Sequence, residues 1–389
     1  MTAGDTGFEA SKEVLMRMLA AVLYEQGLPA PYADSQPFRI DEVDLEGPGP
    51  GEVLVEIRAA GLCHSDLSFV AGLRKRPLPI VGGHEAAGIV REVGGGVTAV
   101  KKDDHVVMTV VSGCDHCRPC AAMRPGLCQS FTASRAQGVL ATGARRLSRH
   151  GSPIYHYSGI SGFAQYSVNV PGSLIKIDPN IPFDDAAMFG CAVVTGVGAV
   201  FNTAQVRDGE AVAVLGLGGV GLNAVMAARI RGAQHIIGID VNESKFALAK
   251  ELGATEVFNA SAPDLVQRIR DLTNGGVDYS FEVAGNKSAM ATAYGITCRG
   301  GQVVCVGLGK TGELYQYPAG ELVTEEKVIR GSFMGSCVPK RDIPRYLDLY
   351  RDRSLPVDRL KSEVIGFDRL NVSLDLLSRA EVVRQILHP

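Results

Sequence analysis

From Glu210 onward, short apolar runs alternate with stretches of helical spacing, and this alternation restricts the fold more than any other feature of the chain. Parallel strands that are buried on both faces and joined by crossover helices produce such a pattern. The runs predict strands at 211–215, 235–239, 256–258, 277–281, 302–306 and 327–331, with helices at 220–231, 244–252, 262–273 and 287–297. We therefore expect an α/β fold with a doubly wound parallel sheet.

A glycine pattern marks the first turn of this sheet. Gly216, Gly218 and Gly221 form G-x-G-x-x-G directly after the apolar run AVAVL and at the start of a predicted helix. Such glycines allow a tight turn and the close approach of a pyrophosphate to the N–H groups of the helix N-terminus. Asp240 follows the next apolar run, where a carboxylate binds ribose hydroxyls and repels a 2′-phosphate. The pattern predicts a Rossmann domain that prefers NAD to NADP.

Four cysteines lie close together in the first half of the chain. Cys114, Cys117, Cys120 and Cys128 have the spacing C-x2-C-x2-C-x7-C. Four thiolates suit a tetrahedral zinc ion and leave none of its positions open. The alternative is an iron–sulfur cluster, but the ferredoxin spacing continues with three residues and then Cys-Pro, whereas seven residues intervene here and Gln129 follows. The spacing favours a structural zinc site.

Three scattered residues suggest a second metal site of a different kind. Cys63 stands in GLCHSD, His84 in GGHEAAG and Cys191 in FGCAVVTG. Each alone is weak evidence, because an isolated cysteine is more often a small buried hydrophobe than a ligand. Together, two thiolates and one imidazole form the ligand set of a catalytic zinc whose fourth position is open to water or substrate.

The organisation of the rest of the chain follows from its turns. Short β-rich segments broken by glycine and proline fill the first half, at 52–58, 87–93 and 105–110. After Gly335 come a charged helix at 342–351 and an apolar segment at 382–387, which are too short to form a core of their own.

We expect this tail to return to the first domain. The resulting division is a catalytic domain of residues 1–192 and 334–389, with an inserted dinucleotide domain of residues 193–333. A flexible extension over residues 1–15 is a further hypothesis.

Composition narrows the function classes. The net charge is −3 and the pI is about 6.3, so the chain has no general attraction for nucleic acid or an anionic membrane. The apolar stretch 18–24 is shorter than the roughly 20 residues of a membrane span and lacks the layout of a signal peptide. We expect a cytoplasmic protein that acts on a small molecule. Its nine cysteines then indicate thiolate or metal chemistry instead of disulfides.

These motifs together resemble the zinc-containing medium-chain alcohol dehydrogenase family, in its long-loop branch of liver-type and class III-like members. The matching stretches are GLCHSD, GGHEAAGIV, the four-cysteine segment, GCAVVTG, VLGLGGVGL and IIGIDVNESKFALAKELGATE. They span about residues 50 to 390 in collinear order, which makes the resemblance specific. It implies a GroES-like β-rich catalytic domain beside the Rossmann coenzyme domain.

The resemblance implies roles for residues around the catalytic zinc. Cys63, His84 and Cys191 are the expected ligands, and Glu85 lies behind the metal, able to replace a leaving ligand. Asp66 orients His84, a task that some hydrogen-bond acceptor has to perform. Ser65 is expected to shuttle the proton of the substrate hydroxyl. The histidine that ends this relay in well-known members is Ser68 here, so the terminal base is left unassigned.

The resemblance also implies coenzyme contacts beyond the glycine loop and Asp240. Thr195 and Val220 are expected at the nicotinamide, Lys245 at the adenosine ribose, and His64 and Arg384 at the pyrophosphate. For Lys245 and Arg384 the alternative is ordinary surface charge. The expected coenzyme-binding set is His64, Thr195, Gly216, Gly218, Gly219, Val220, Gly221, Asp240, Lys245, Val306 and Arg384.

Substrate-lining positions carry over in the same way. They are Arg74, Val110, Ala133, Tyr157 and Leu308. Val110 and Ala133 are smaller than the phenylalanine and leucine common at those positions, so we expect a roomier pocket than one built for ethanol. The run Arg74-Lys75-Arg76 lies near the pocket mouth by the same count, and two interpretations stay open: a solvated basic loop or a role with anionic substrates.

The expected activity is reversible hydride transfer from a primary or secondary alcohol, bulky or aromatic, to NAD. The main alternative is an S-(hydroxymethyl)glutathione dehydrogenase. Members of that subgroup carry an acidic residue where Arg74 stands and an arginine where Thr132 stands, which disfavours it. Polyol dehydrogenases, zinc-free quinone reductases and a non-enzymatic zinc-ribbon protein that binds nucleic acid are weaker alternatives. The resemblance suggests a homodimer built through the dinucleotide domains, with a tetramer as the alternative. Cys298, Cys305 and Cys337 are expected to be core residues.

Overall fold

The computed structural model describes residues 15–389, so the predicted extension, apart from Leu15, lies outside the described residues. The described part contains eighteen strands. In chain order they are β1 (Met16–Leu23), β2 (Phe38–Leu45), β3 (Val53–Leu62), β4 (Ile80–Val81), β5 (Ala86–Val93), β6 (His105–Met108), β7 (Leu147–Arg149), β8 (Ser152–His156), β9 (Tyr166–Asn169), β10 (Leu174–Lys176), β11 (Ala211–Leu215), β12 (His235–Asp240), β13 (Glu256–Asn259), β14 (Val277–Glu282), β15 (Thr297–Cys305), β16 (Val328–Gly331), β17 (Lys361–Ile365) and β18 (Arg384–Leu387).

Thirteen α-helices connect these strands in the described part. They are α1 (Tyr32–Ser35), α2 (His64–Val70), α3 (Arg118–Ala121), α4 (Gln129–Gln137), α5 (Phe183–Met188), α6 (Ala192–Gly198), α7 (Gly219–Ile230), α8 (Phe246–Leu252), α9 (Leu265–Leu272), α10 (Lys287–Ile296), α11 (Ala319–Thr324), α12 (Pro339–Arg351) and α13 (Leu370–Ser378). None of these helices combines the length and the apolar character that a bilayer crossing requires.

The second half of the chain forms a six-stranded parallel sheet in the order β13-β12-β11-β14-β15-β16. This is the strand order of a doubly wound dinucleotide-binding domain, with β11 at the point where the order reverses. All six expected strands are present, so the α/β prediction is confirmed. The strand expected at 302–306 is longer at its start, because the chain passes directly from α10 into β15 at Thr297.

Two of the expected helices differ from the prediction at their N-termini. The stretch expected at 244–252 divides into a 3-10 turn and α8, and the side chain of Asn242 caps that turn by accepting from Ser244 N at 3.0 Å. The helix expected from residue 262 begins at Leu265, because Asp264 before it has a left-handed backbone with φ 56°. Side-chain capping and local backbone geometry decide such ends, and apolar periodicity does not record them.

The first half is β-rich, as expected. Strands β1, β2, β7, β8 and β4 close into a small barrel, and β10-β6-β5-β3-β18-β17 form a second sheet with β9 also paired to β3. The barrel has its own apolar core.

The C-terminal strands β17 and β18 lie in the sheet of the N-terminal half, with Gln385 opposite Leu62 in an antiparallel pairing. The residue boundaries proposed for the two domains stay a prediction.

The chain crosses between the two sheets at α6 and again near Gly335. These crossings touch each other, because a Cβ on Gly198 would lie 2.4 Å from the carbonyl oxygen of Gly335. Helix α6 also packs tightly on α7, where a Cβ on Gly196 would lie 2.2 Å from the carbonyl oxygen of Val220. Glycine is required at these positions because no larger residue fits between the backbones.

Of the three remaining cysteines, Cys337 is buried as expected. Cys298 and Cys305 lie on β15 and are only partly buried, so the expectation of core positions holds less well for them.

Candidate functional site

Three side chains that could bind a metal come together from distant parts of the chain. Cys63 stands between β3 and α2, His84 lies in the loop between β4 and β5, and Cys191 directly precedes α6. All three are buried, and their ligand atoms lie within 4.8 Å of one another. The scattered residues singled out in the sequence thus form one cluster.

Asp66 holds two members of this cluster in place. Its Oδ2 accepts a hydrogen bond from the backbone N–H of Cys63 at 3.0 Å, and its Oδ1 lies 2.8 Å from His84 Nδ1. The carboxylate is completely buried. A histidine that is bonded through Nδ1 presents Nε2 to a metal. His84 Nε2 is buried and has no hydrogen-bond partner among the described residues, as expected of an atom that needs a ligand.

The donor set fits zinc. Two sulfur atoms and one nitrogen within 4.8 Å of one another can surround an ion with bonds of about 2.0 to 2.3 Å, and three protein donors leave one position open. A hydrogen bond from Cys191, together with the positive charges of Arg384 and His84, lowers the pKa of Cys63 well below its usual range. This favours the thiolate, which is the form that binds a metal.

Glu85 follows His84 in the chain and is completely buried. Its Oε2 accepts from the backbone N–H of Ala192 at 3.1 Å, and its Oε1 forms an ion pair with Arg384 Nη1 at 2.8 Å. Burial raises the pKa of Glu85 to about 7, while the charge of Arg384 opposes the rise. The space for this carboxylate comes from Gly61, where a Cβ would lie 2.0 Å from Glu85 Oε1. Sequence reasoning missed that role, although Gly61 opens the GLCHSD motif.

The glycine loop lies at the carboxyl end of β11, where α7 begins. Gly216 has φ +102°, and a Cβ on Gly221 would lie 1.8 Å from the carbonyl oxygen of Gly216. A Cβ on Gly219 would lie 2.6 Å from Arg384 Nη2, whereas Gly218 faces open space. The loop is therefore tight on its inner side and accessible on its outer side, which suits the approach of a pyrophosphate.

Arg384 connects the metal cluster to this loop. It is buried, its Nη1 donates to the carbonyl of Leu62 at 3.0 Å, and its Nε is a buried donor with no partner among the described residues. The alternative of a surface charge is therefore wrong for Arg384. A buried guanidinium with a free donor beside a glycine loop fits an anionic ligand.

Asp240 ends β12 next to the glycine loop. Its Oδ2 accepts from Leu217 N at 2.7 Å and from Lys245 Nζ at 3.2 Å, and its Oδ1 accepts from Asn242 N at 2.9 Å. Lys245 is buried as well, so it too is no ordinary surface charge. The two residues form one charge pair at the position expected for the adenosine ribose.

The structure places the other expected coenzyme contacts on several elements. Thr195 is buried on α6, where its hydroxyl lies 3.6 Å from Met334 Sδ, and Val220 lies on the facing helix α7. Val306 directly follows β15, and its N–H donates to the carbonyl of Glu282 at 2.8 Å. His64 is exposed at the start of α2.

Ser65 and Tyr157 lie against the metal cluster. Ser65 is half-buried in the first turn of α2, and the Tyr157 hydroxyl donates to its carbonyl at 3.4 Å. The Tyr157 ring stacks on Phe69 with 4.4 Å between centroids and meets the ring of His84 edge-on at 5.9 Å. Two aromatic rings therefore pack next to His84, Tyr157 directly and Phe69 behind it.

The remaining pocket positions are more dispersed. Val110 is buried, Ala133 is exposed on α4, and Arg74 Nη2 donates to the carbonyl of Leu308 at 3.2 Å. Sequence reasoning missed Arg135, which contacts Val110, and Phe333, which contacts Arg135. Arg135 Nη1 donates to the Val110 carbonyl at 3.1 Å, and the Arg135 guanidinium lies 5.6 Å from the centroid of the Phe333 ring.

The four-cysteine segment forms a separate cluster. Its sulfur atoms lie within 4.8 Å of one another, and Cys120 and Cys128 are buried. The backbone N–H of Cys117 donates to Cys114 Sγ at 3.4 Å, and backbone donors from His116 and Cys117 lower the pKa of Cys114 to about 6. Four sulfur donors leave no open position, so the set fits a structural zinc.

Comparison with known proteins now assigns the family. Residues 49–179 match the alcohol dehydrogenase GroES-like domain, and residues 219–352 match the zinc-binding dehydrogenase family. The chain is 37% identical over 382 residues to the S-(hydroxymethyl)glutathione dehydrogenase of Paracoccus denitrificans, covering 96% of this chain and 100% of that protein. The chain belongs to the zinc-containing medium-chain alcohol dehydrogenase family.

Solved structures agree with this assignment. The dehydrogenase superposes on an alcohol dehydrogenase zinc-binding domain protein from Burkholderia ambifaria with a TM-score of 0.90 and 35% identity, covering 96% of this chain and 99% of that one. It superposes on benzyl alcohol dehydrogenase from Acinetobacter calcoaceticus with a TM-score of 0.89 and 30% identity, with the same coverage. The small barrel and the six-stranded parallel sheet are thus the GroES-like and Rossmann-type parts of a zinc-dependent dehydrogenase, in a family whose members use NAD.

Proposed function

We propose that this dehydrogenase oxidises primary or secondary alcohols with NAD, reversibly, to aldehydes or ketones. The observation that carries the proposal is the three-donor cluster of Cys63, His84 and Cys191, since three protein donors leave a fourth position of a zinc ion for the substrate. Arg384, which pairs with Glu85 and lies against Gly219, connects the surroundings of this cluster to the glycine loop. The cysteine cluster at Cys114 to Cys128 would hold the second, structural zinc.

The residues of the chain have distinct tasks in this reaction. A zinc ion held at the three-donor site would supply Lewis acidity toward the substrate oxygen, and bound NAD would supply the hydride acceptor. Cys63, His84 and Cys191 bind the metal, and Asp66 fixes the orientation of two of them. Ser65 accepts the proton of the substrate hydroxyl and moves it away from the cluster as a shuttle, since a serine hydroxyl is too weak to act as the base.

Coenzyme choice rests on Asp240. Its carboxylate lies where the adenosine ribose binds in this fold and would repel a 2′-phosphate, which supports NAD over NADP. Arg384 and His64 would bind the pyrophosphate, and Thr195, Val220 and Val306 would pack on the nicotinamide.

The proposed substrates are bulkier than ethanol. Val110 and Ala133 are smaller than the phenylalanine and leucine that the resemblance leads one to expect there, and a solved structure similar to this one is a benzyl alcohol dehydrogenase. Screening NAD reduction over ethanol, 2-butanol and benzyl alcohol, with zinc measured per subunit, tests this. We expect higher kcat/KM for benzyl alcohol and the secondary alcohol, and an equal or higher value for ethanol would contradict the pocket argument.

A second candidate function is the oxidation of S-(hydroxymethyl)glutathione, because a relative 37% identical over its full length carries that name. Arg74 and Thr132 argue against this function, because members of the glutathione-dependent subgroup carry an acidic residue and an arginine at these two positions. Formaldehyde oxidation measured with and without glutathione decides: turnover that requires glutathione would replace the first proposal.

The homodimer proposed from the family resemblance has a suitable surface. Strand β16 is at the edge of the parallel sheet, paired on one side with β15. Val328 on this strand is exposed, and so are two apolar side chains that precede it in the chain, Leu314 at 78% and Val323 at 75% exposure. An apolar sheet edge favours pairing with a second copy.

A further inference from the structure

Glu282 is a buried carboxylate that belongs to neither cysteine cluster. It ends β14, where it lies beside Leu215 of β11 and Cys305 of β15 at the carboxyl edge of the parallel sheet. The residue is completely buried. Burial raises the pKa of Glu282, and backbone N–H groups of the following loop act against that rise. A carboxyl group in such a place is unfavourable unless its hydrogen bonds compensate for the lost water.

The polar atoms of Glu282 contact two loops that follow neighbouring strands. Its Oε1 accepts from the backbone N–H of Gly285 at 2.6 Å, in the loop 283–286 after β14. Its main-chain carbonyl accepts from the N–H groups of Val306 and Gly307, both at 2.8 Å, in the segment 306–309 after β15. Dinucleotides bind at this carboxyl edge in doubly wound sheets. One residue therefore bonds to both loops on the side where the coenzyme is expected.

The two loops touch each other through their backbones. A Cβ on Gly307 would lie 2.3 Å from Gly285 N, the same atom that donates to Glu282 Oε1. Gly285 has φ +71°, and a Cβ there would lie 3.1 Å from backbone atoms of Leu308. Because no side chain separates the loops, a shift of Gly285 is passed on to Val306 and Leu308.

The loop 283–286 also lies against the glycine loop, but that loop has support of its own. A Cβ on Gly216 would lie 3.1 Å from Ala284 N. The Gly216 N–H donates to the carbonyl of Ile239 at 2.8 Å, which ties the glycine loop to β12. The expected pyrophosphate side of the coenzyme site is thus held independently of Glu282, whereas the segment 306–309 is held through Glu282.

The second oxygen of the carboxyl group gives a reason to look for a task. Glu282 Oε2 is buried and has no hydrogen-bond partner in residues 15–389, and it lies 2.9 Å from the place of a Cβ on Gly307. A buried acceptor without a donor costs free energy. Packing alone would therefore favour an apolar side chain of similar size, and the bond from Oε1 to Gly285 is what such a side chain would lack.

Resting on the proposed function, we propose that Glu282 is a positioning residue for the coenzyme: through the N–H of Gly285 it sets the place of Val306 against the nicotinamide. A strand end is a rigid support, and a site held from a strand is more precise than one held by loops alone. The effect of Glu282 should therefore fall on the nicotinamide half of the coenzyme more than on the half that the glycine loop binds.

The test compares the affinity for NAD with the affinity for ADP-ribose, which lacks the nicotinamide, by calorimetry on the zinc-loaded full chain. Glu282→Met keeps a side chain of similar length and removes the acceptor for Gly285. We expect the Kd for NAD to rise about tenfold and the Kd for ADP-ribose to change by less than about threefold. Glu282→Gln keeps an oxygen that can accept from Gly285, so its Kd for NAD should stay within about threefold of the wild-type value.

Asp278→Leu is the matched control, because Asp278 lies at the other end of β14 and its Oδ2 accepts from the Ala211 N–H at 2.8 Å. It should lower the free energy of unfolding and leave the ratio of the two Kd values unchanged. An equal loss of both ligands in Glu282→Met, a wild-type ratio in that variant, or a Glu282→Gln protein as weak as Glu282→Met would overturn the inference. A wild type that binds neither NAD nor ADP-ribose would contradict the proposed function itself.

Discussion

At the scale of single residues, the site depends on side chains that each perform two tasks. Asp66 fixes both Cys63 and His84, and Arg384 pairs with Glu85 while lying against Gly219. Substituting such a residue should therefore cost more than one lost contact, because several groups lose their positions together.

Gly61→Ala tests the space behind the metal. The new Cβ would lie 2.0 Å from Glu85 Oε1, so the carboxylate would have to move away from Arg384. We expect a loss of about 1 to 3 kcal/mol in the free energy of unfolding, as for overpacked cores, with reduced zinc at the three-donor site. Urea unfolding and zinc analysis measure both. Gly47→Ala is the control, since nothing lies within 4 Å of a Cβ there; equal behaviour of the two variants would refute the prediction.

Asp240→Asn tests coenzyme choice. The substitution removes the negative charge and leaves Lys245 without its partner, so a 2′-phosphate would meet attraction in place of repulsion. We expect the ratio of kcat/KM for NADP to that for NAD to rise about tenfold, which is about 1.4 kcal/mol. Glu243→Gln, a neighbouring carboxylate in the turn before α8, serves as control. A ratio that stays at the wild-type value would argue against the role of Asp240.

At the scale of elements, strand β8 of the barrel ends in a buried histidine, His156. His156 Nε2 accepts from the backbone N–H of Arg146 at 3.1 Å, so the ring is held in its neutral form. Burial lowers the pKa of His156 to about 4 from an ordinary value of 6.5. Protonation therefore favours the unfolded chain, and this contribution to stability is complete above pH 6.5 and is lost as the pH falls toward 4.

His156→Gln should remove this pH dependence while keeping an acceptor for the Arg146 N–H. At pH 5 the wild type should have lost about 2 kcal/mol of unfolding free energy through His156 relative to pH 7, and the variant should lack that part of the loss. Urea unfolding at the two pH values measures the difference. His150→Asn, an exposed histidine in the turn before β8, should behave as the wild type does; identical losses in all three proteins would contradict the prediction.

Elements also differ in how far the sequence predicts them. The parallel sheet was predictable because its strands are buried on both faces and read as apolar runs. Helix α4 was not, because it buries none of its residues and has no apolar period. The barrel was predictable only as a β-rich region, since strands as short as Ile80–Val81 are defined by distant partners. The candidate metal ligands could be named from sequence because each stands in a recognisable motif. The roles of Gly61, Arg135 and Phe333 became visible only through tertiary contacts.

At the scale of the whole molecule, the two halves depend on each other through the crossings at Gly198 and Gly335 and through Arg384. A second copy should bind at the edge of β16. We expect light scattering to give the mass of a dimer, and Val323→Asp to weaken association by placing a charge on the apolar surface. Leu272→Asp changes an exposed leucine on α9 and should leave the dimer intact. A monomeric wild type would contradict the proposal, and so would an unchanged Val323→Asp dimer.

The pairing of β18 with β3 has a consequence for how the protein is made. Arg384 contacts the carbonyl of Leu62, a residue 322 positions earlier, so a ribosome must add the whole Rossmann part before that contact can form. The early ligands Cys63 and His84 emerge long before the guanidinium that braces Glu85 behind them. A nascent chain can fold its barrel during translation, but the proposed site for metal and coenzyme is completed only when the last strand enters the sheet.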